Sequence, residues 1–195
     1  MNQLVGFKEW QVVCEALASG RQSILLRKGG IHEGRAGFSF AHPSFFLFPT
    51  KFHALGERVR EGEAEEGGEW KICDPIHITH HAEAVWAVTL TSWEAANSLR
   101  PMHIYSEQTV RDRFDWEGKG MASGSIHLAL VRVRRLVIPW EFPYEAKYGG
   151  CRSWVNLPQA GAGFLKNAQP VLTDPNFLEV RKSAELVCEG QPIGE

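Results

Sequence analysis

A dense group of charged residues follows the first apolar run of the chain, and its residue types can bind an anion. Arg27 and Lys28 come at the end of the run Ile24–Leu26 and directly precede Gly29 and Gly30. Two cations beside backbone amides that glycine leaves exposed can hold a phosphate or a carboxylate. The alternative is a surface hairpin in which the glycines serve only the turn and the charges are solvated. We predict phosphate or nucleic-acid contacts for Arg27, Lys28, Gly29 and Gly30.

Three further side chains in this part of the chain have the chemistry of general acids and bases. His42 and His53 flank the segment FFLFPT, and Glu33 lies between the glycine pair and His42. Imidazole titrates near neutrality, so either histidine could move a proton in a bound substrate while Glu33 orients it. This role requires the three side chains to converge, and a lone histidine is more often a structural residue. Glu33, His42 and His53 are the predicted catalytic residues if the protein is an enzyme.

A second basic group lies in the clearest strand of the sequence, IHLALVRV, and just after it. Arg132 and Arg134 alternate with apolar residues, so both would project from one face of a strand and could follow a phosphate backbone. Trp154 is an aromatic residue on which a base could stack, although core packing is the commoner role of a single tryptophan. We add Arg134 and Trp154 to the predicted nucleic-acid-binding residues.

Neither the cysteines nor the histidine cluster HITHH has the spacing of a metal site. The four cysteines are far apart and form no C-x-x-C pair, which is typical of reduced cysteines in the cytoplasm: Cys14, Cys73, Cys151 and Cys188. In an extended strand His77 and His81 share a face while His80 points away, and no spaced carboxylate pair completes a shell. We therefore predict no metal site and no cofactor.

Length and charge set limits on the class of protein. A chain of 195 residues with 44% hydrophobic content can bury one substantial core. We predict a single domain over residues 1–157, with a loop and a C-terminal helix over 158–195 that pack on it or extend from it. The net charge of -2 requires any nucleic-acid binding to use a local basic surface. The sequence shows no secretory leader pattern and no membrane-length apolar run, so we predict a cytoplasmic protein without a membrane partner.

Hydrophobic periodicity predicts helices at both ends of the chain and strands between them. A first helix is predicted because five apolar residues share a helical face before Gly20: Phe7, Trp10, Val13, Cys14 and Leu17. Predicted strands include Ser23–Arg27, Phe38–Phe40, Phe45–Phe48 (which Pro49 ends), Trp70–Cys73, Ile76–Thr79, Val85–Leu90, Ile126–Val133 and a last strand within 148–157. Predicted helices are Trp93–Leu99, Ser106–Phe114 with Ser106 as N-cap, and one that Asp174 caps. The pattern indicates an α+β fold with a curved, mostly antiparallel sheet or a small β-barrel.

Several long blocks of the sequence resemble a bacterial family of unknown function, the domain-of-unknown-function family numbered 1802. The blocks are FKEWQVVCEALASGRQSILLRKGGIHE, HPSFFLFPTKFH, LRPMHIYSEQTVRDRFDW and YGGCRSWVNL. The resemblance implies no established reaction, and its occasional association with restriction-endonuclease-like domains implies a role in restriction-modification or phage defence. Members of the family carry a glutamine directly after the histidine that corresponds to His53, where this chain has Ala54.

The block LASGRQSILLR is similar to the opening of ASCH and related PUA-like domains. These are small β-barrels that bind RNA or modified bases and sometimes hydrolyse nucleoside derivatives, so the resemblance implies a PUA-like fold. Gln22 stands where that group has a lysine two residues after the glycine, which argues against its amidohydrolase activity in this chain.

Three hypotheses for function follow from these observations. The first is a cytoplasmic nucleic-acid-binding module, linked to restriction-modification or phage defence, that recognises DNA or RNA in a basic, aromatic-lined cleft between the turn at Gly29 and the strand end at Arg132. The second is a hydrolase acting on a nucleotide or nucleic acid, with His42 or His53 as general base and Lys28 stabilising developing charge. The third is a structural or regulatory subunit of a larger complex that includes a restriction-type partner protein.

Overall fold

The computed structural model describes residues 3–28, 42–51, 55–63, 68–160 and 165–189. Over these residues the chain forms seven strands: β1 (Val5–Trp10), β2 (Ile24–Lys28), β3 (Ser44–Thr50), β4 (Pro75–Leu90), β5 (Ile126–Pro143), β6 (Trp154–Asn156) and β7 (Gln169–Pro170). They are accompanied by four α-helices: α1 (Gln11–Ala18), α2 (Trp93–Ser98), α3 (Glu107–Phe114) and α4 (Asp174–Val187). The predicted strand Phe38–Phe40 lies outside the described residues.

All the described strands belong to one sheet in the order β2-β5-β4-β3-β1-β6, and β7 pairs with β5. The pair β1 and β3 is parallel, with Trp10 opposite Thr50, and the other described pairs are antiparallel. Register shifts between Ile78 and His80 and between Ala84 and Trp86 interrupt the β4–β5 ladder, and such bulges bend a sheet. The α+β fold is confirmed. Of the two predicted architectures the structure has the curved open sheet, since β2 and β6 remain at its edges.

The apolar segment FFLF of β3 shows why both faces of the sheet are buried. Phe45 and Leu47 point into one hydrophobic core, together with α1, while Phe46 and Phe48 point into a second core on the opposite face. Successive side chains of a strand alternate between faces, so an unbroken apolar run places large groups on both. Pro49 does not end β3 as predicted, because the strand continues to Thr50.

The start of the chain differs from the sequence-based prediction. Residues Val5–Trp10 form β1, and the helix begins only at Gln11. Phe7 therefore packs in the core from a strand, opposite Leu47 of β3, rather than from a helix. Phe7 and Trp10 are three residues apart, a spacing that suits one face of a helix, whereas in β1 they lie on opposite faces of the strand. Gly20 does follow the helix, with a φ of 76°.

Some segments that the sequence predicts as separate or short strands are parts of longer strands in the structure. Ile76–Thr79 and Val85–Leu90 are parts of the single strand β4, and Ile126–Val133 is the first half of β5. Trp70–Cys73 is not a strand. Bulges leave unpaired residues within a continuous strand, which interrupt the alternation that a sequence pattern detects.

The caps of the helices follow their local sequence. Ser106 accepts a hydrogen bond from the backbone N–H of Thr109, which confirms it as the N-cap of α3. For α4 the cap is Thr173, which accepts from the N–H of Asn176, and the predicted cap Asp174 is instead the first helical residue. Threonine and aspartate are both favoured N-cap residues, so the backbone conformation decides between the two adjacent candidates.

Helix α4 packs against the domain through Phe177, Ala184 and Cys188, which are buried in the same core as α1. Arg132 of β5 joins this contact, because it donates a hydrogen bond to the carbonyl of Leu172 and lies over the Phe177 ring. The boundary between residues 157 and 158 stays a prediction. Among the described helices there is none whose length and apolar character would let it cross a membrane.

Candidate nucleic-acid interface

A cleft of about 510 Å³ opens where β1 and β3 end side by side. Because these two strands are parallel, their carboxyl ends meet at one edge of the sheet. Strand β2, helix α3 and the segment before β6 complete the cleft. Its lining residues are Lys8, Glu9, Trp10, Arg27, Phe48, Thr50, Lys51, Glu69, Trp70, Arg113, Tyr144, Tyr148 and residues 149–153.

The floor of the cleft is a buried carboxylate between two arginines. Glu9 is 2% exposed, and its Oε2 accepts a hydrogen bond of 3.0 Å from the Tyr105 hydroxyl. Arg27 Nη2 lies 3.5 Å from Oε2, and Arg113 Nη2 lies 4.0 Å from Oε1. Burial, followed by the nearby Glu9 charge, raises the pKa of Tyr105, which keeps its hydroxyl protonated as a donor. Two guanidinium groups thus share one carboxylate, leaving one positive charge in excess at the floor.

Both arginines are fixed in place by the backbone and by aromatic rings. Arg27 donates to the carbonyl of Lys8 and lies 4.2 Å from the centroid of the Phe7 ring. Arg113 donates to the carbonyl of Leu26 at 2.6 Å and stacks over Tyr105. The Nε of Arg27 is buried and has no hydrogen-bond partner among the described residues. A buried donor without a partner is costly, so the Arg27 guanidinium is not fully satisfied by the described residues.

Lys8 connects β1 to the segment that forms one wall of the cleft. Its Nζ donates to the carbonyls of Tyr148 and Gly150, at 2.8 and 2.7 Å. Burial is the main cause that lowers the pKa of Lys8 from its ordinary value, and the charge of Arg152 lowers it further. The Lys8 ammonium therefore holds residues 148–150 against β1 and places Arg152 at the mouth of the cleft.

The wall opposite residues 148–150 combines the Lys51 ammonium with the aromatic rings of Trp70 and Tyr144. Lys51 Nζ lies 4.1 Å from the centroid of the Trp70 ring, and the Trp70 indole donates to the carbonyl of Pro49 at 3.0 Å. Tyr144 stacks on Trp70 with ring centroids 6.4 Å apart. Five basic residues and two acidic ones line the cleft as a whole. This mixture can hold a phosphate and present an aromatic face to a base.

The structure separates the two basic groups that the sequence placed in one cleft. Arg27 lines the cleft, whereas Lys28 lies 3.3 Å from the centroid of the exposed Trp116 ring and is not part of the lining. Lys28 pairs with Ile126 of β5, so Arg134 is eight residues further along that strand, or roughly 26 Å. Arg132 donates to the carboxylate of Asp174 in α4 and to the carbonyl of Leu172, which precedes that helix. The cleft predicted between Gly29 and Arg132 stays a prediction, because Gly29 lies outside the described residues, and the described residues form a cleft at a different place.

His42 and Trp154 contact each other rather than the cleft. Their rings meet edge to face with centroids 4.9 Å apart, and Trp154 also packs edge-on against Phe7 and Phe45. Gly29, Gly30, Glu33 and His53 lie outside the described residues, so the convergence of Glu33, His42 and His53 remains a prediction. The assigned roles of Arg134 and Trp154 likewise stay predictions.

Most of the buried network around Glu9 is not apparent from the sequence. Glu9 is far from both Tyr105 and Arg113 in the chain, and only Arg27 was singled out. One signal was present: Glu9 stands within the apolar segment VGFKEWQVVC, where a carboxylate facing a core requires a partner. The partners themselves follow only from the fold.

The histidines of HITHH go to three separate environments. His77 lies 3.2 Å from Glu141, His80 Nδ1 is 2.8 Å from the Thr79 hydroxyl, and His81 Nε2 is 2.8 Å from the Ser44 hydroxyl. Within the described part of the chain no group of three or more His, Cys, Asp or Glu side chains is arranged to hold a metal ion.

Comparison with known proteins places the chain in a family. The family described as domain of unknown function DUF1802 matches residues 6–183, and the chain belongs to it. No curated protein matches the chain. This confirms the family that the sequence blocks indicated.

The solved structures similar to this chain include ASCH proteins from Zymomonas mobilis. A crystal structure of ASCH from that organism has 13% identity and a TM-score of 0.46, with 80% of this chain and 89% of that chain covered. A serine-to-alanine mutant has 14% identity and a TM-score of 0.44, with the same coverage. A tyrosine-to-phenylalanine mutant has 15% identity and a TM-score of 0.43, with 81% and 92% covered. All three similarities are at low sequence identity. The three proteins are ASCH proteins, the group that the block LASGRQSILLR resembles.

Proposed function

We propose that the protein is a nucleic-acid-binding module whose cleft holds a single strand of DNA or RNA. The observation that carries the proposal is the floor of the cleft, where Arg27 and Arg113 share the single carboxylate of Glu9. The excess positive charge of these two guanidinium groups favours a phosphate there. Proteins that bind single strands combine such a basic groove with aromatic faces for the bases.

Two exposed or partly exposed cations extend this charge toward the mouth of the cleft. Arg152 forms no hydrogen bond or ion pair with another described residue, and Lys51 makes its contact with the face of Trp70. Both are placed to neutralise phosphates on either side of the one at the floor. The surface charge of the whole chain gives no such preference, because its net charge is -2.

The test is equilibrium binding of labelled single-stranded and double-stranded DNA and RNA across a salt series. For a single strand each phosphate contact contributes about 0.7 to the slope of log K against log salt. We expect Arg152→Ala and Lys51→Ala each to weaken binding of single strands of every sequence and to lower this slope by about that amount. Lys182→Ala is the matched control, because Lys182 pairs with Glu179 on α4, away from the cleft.

Three results would contradict the proposal. One is that no probe binds in a salt-dependent manner. The second is that both cleft variants bind with the slope of the unmodified protein. The third is that Lys182→Ala changes the slope as much as the cleft variants do, which would indicate nonspecific attraction to surface charge.

A hydrolase is the second candidate, and the pair formed by Ser44 and His81 favours it. The exposed Ser44 hydroxyl lies 2.8 Å from Nε2 of the buried His81, the arrangement in which an imidazole can accept the proton of a nucleophilic hydroxyl. Burial is the main cause that lowers the pKa of His81, which leaves the ring neutral and able to act as a base. Arg134 stands opposite His81 in the β4–β5 ladder, where it could attract an anionic substrate.

The integrity of the labelled probes during the binding experiment tests this second candidate. Cleavage that is lost in Ser44→Ala at unchanged binding would support the hydrolase. An intact probe, or cleavage that persists in Ser44→Ala, would argue against this pair. The links to restriction-modification and to a restriction-type partner remain predictions from family context.

A further inference from the structure

A second cavity lies directly behind one wall of the cleft. Its volume is about 220 Å³, and its lining residues are Gln11, Cys14, Glu15, Ala18, Leu47, Pro49, Trp70, His77, Thr79 and His80. Trp70 lines both the cleft and this cavity, and its indole is held by the carbonyl of Pro49 at 3.0 Å. Trp70 therefore contributes to the wall of both spaces. The volume is small for a drug-sized ligand but suits a single planar ring system.

His80, which lines this cavity, has a ring nitrogen without a partner within the described residues. His80 is 8% exposed, its Nδ1 is 2.8 Å from the Thr79 hydroxyl, and its Nε2 is buried without a hydrogen-bond partner. A buried nitrogen of this kind is destabilising unless something pairs with it. Burial and the charge of Arg135 lower the pKa of His80 to about 4, so the ring is neutral near pH 7. A neutral imidazole nitrogen can donate to or accept from a polar ligand, according to its tautomer.

Other groups around the cavity would suit the polar edge of a ring. Gln11 donates to the carboxylate of Glu15 at 3.1 Å, which leaves the amide oxygen of Gln11 and part of the Glu15 carboxylate as acceptors. Leu47, Pro49 and Ala18 contribute apolar surface. Apolar walls with a few converging polar groups are the usual composition of a pocket for a heteroaromatic ligand.

We propose that this cavity receives the base of the nucleotide whose phosphate binds in the cleft, with Trp70 as the shared wall. The proposal rests on the proposed function and adds that the ligand is recognised through an unstacked base as well as through its backbone. Bases that leave the stack are commonly held between aromatic or apolar side chains and read along their polar edge.

The test compares nucleoside 5′-monophosphates with ribose 5-phosphate, which has the same phosphate and sugar but no base. Binding to the full-length protein is measured by calorimetry and by Trp fluorescence at fixed salt. We expect the better monophosphates to bind at least about tenfold more tightly than ribose 5-phosphate. His80→Leu is expected to remove most of that advantage and to leave the affinity for ribose 5-phosphate unchanged.

Two further variants guard against misfolding and nonspecific effects. Ala18→Leu fills part of the cavity from α1 with apolar volume and replaces no charged residue, and it should abolish the tighter binding of monophosphates in the same way. His103→Leu is the matched control, because His103 is equally a buried histidine with unpaired nitrogens but lines neither the cavity nor the cleft. In His103→Leu the monophosphates should still bind more tightly than ribose 5-phosphate.

The outcomes separate this inference from the proposed function. Equal affinity for monophosphates and ribose 5-phosphate would overturn the base cavity, as would an advantage that survives in both His80→Leu and Ala18→Leu. In either case salt-dependent binding of single strands would leave the proposed function intact. If no phosphate ligand and no strand binds, both proposals fail together.

Discussion

Replacing Glu9 with alanine is expected to destabilise the protein by about 3–5 kcal/mol, the usual cost of removing one partner from a buried ion pair. The carboxylate is 2% exposed and accepts from the Tyr105 hydroxyl and from the N–H of Trp10. Its removal leaves Arg27 and Arg113 facing each other without a counter-charge and leaves the Tyr105 hydroxyl without its acceptor. For a chain of this length the loss corresponds to a fall in Tm of roughly 6–20 °C.

Glu9→Gln separates the stability of the network from its charge. Glutamine keeps an acceptor for Tyr105, so the loss should be smaller, about 1.5–3 kcal/mol for weakened hydrogen bonds to a formerly charged group. At the same time it removes the negative charge between the two arginines. We therefore expect Glu9→Gln to bind single-stranded nucleic acid more tightly and with a steeper salt dependence.

Urea unfolding and the salt-series binding assay measure these two effects on the same preparations. Glu107→Ala is the control, because Glu107 forms an exposed pair with Arg111 on α3 at 2.9 Å, and its loss should cost no more than about 0.5 kcal/mol. The reasoning is refuted if Glu9→Ala is as mild as this control. Weaker binding by Glu9→Gln at nearly full stability would also refute it, since that result would make Glu9 a direct contact of the ligand.

Two further predictions concern stability. His103 is 2% exposed, and burial together with the charge of Arg60 lowers its pKa to about 4. In the unfolded chain the histidine pKa is about 6.5, so between these two values the unfolded state binds more protons than the folded state. The free energy of unfolding therefore falls as the pH decreases through that range. His103→Leu should reduce this pH dependence by up to about 1.4 kcal/mol per pH unit, which urea unfolding at pH 5 and pH 8 measures. If the variant and the unmodified protein showed the same difference in unfolding free energy between the two pH values, the assignment to His103 would be wrong. Gly124→Ala should destabilise the protein by about 1–3 kcal/mol, because a Cβ there would lie 2.4 Å from Phe114 Cδ1 and 2.7 Å from the Phe114 carbonyl oxygen. Gly56→Ala, where a Cβ meets no atom within 4 Å, is its control, and equal melting temperatures for the two variants would disprove the clash.

The sequence by itself determined the local elements whose signals are short in range. The apolar strand at Ile24–Lys28, the N-cap at Ser106 and the glycine after α1 all follow from residues close in the chain. The α+β class follows from the same patterns, and the ordered blocks indicated the family. These features are predictable because strand alternation, capping and positive φ depend on neighbouring residues.

The tertiary structure alone decided the composition of the cleft. Arg27, Arg113 and Tyr105 meet Glu9 only because the open sheet curves to bring β1, β2 and α3 together. It also decided that Lys28 and Arg134 lie far apart, since the antiparallel register of β2 and β5 fixes which ends of the strands coincide. Register depends on pairing between residues distant in the chain, and no local pattern contains that information. The sequence therefore identified one cation of the site, and the fold supplied its partners.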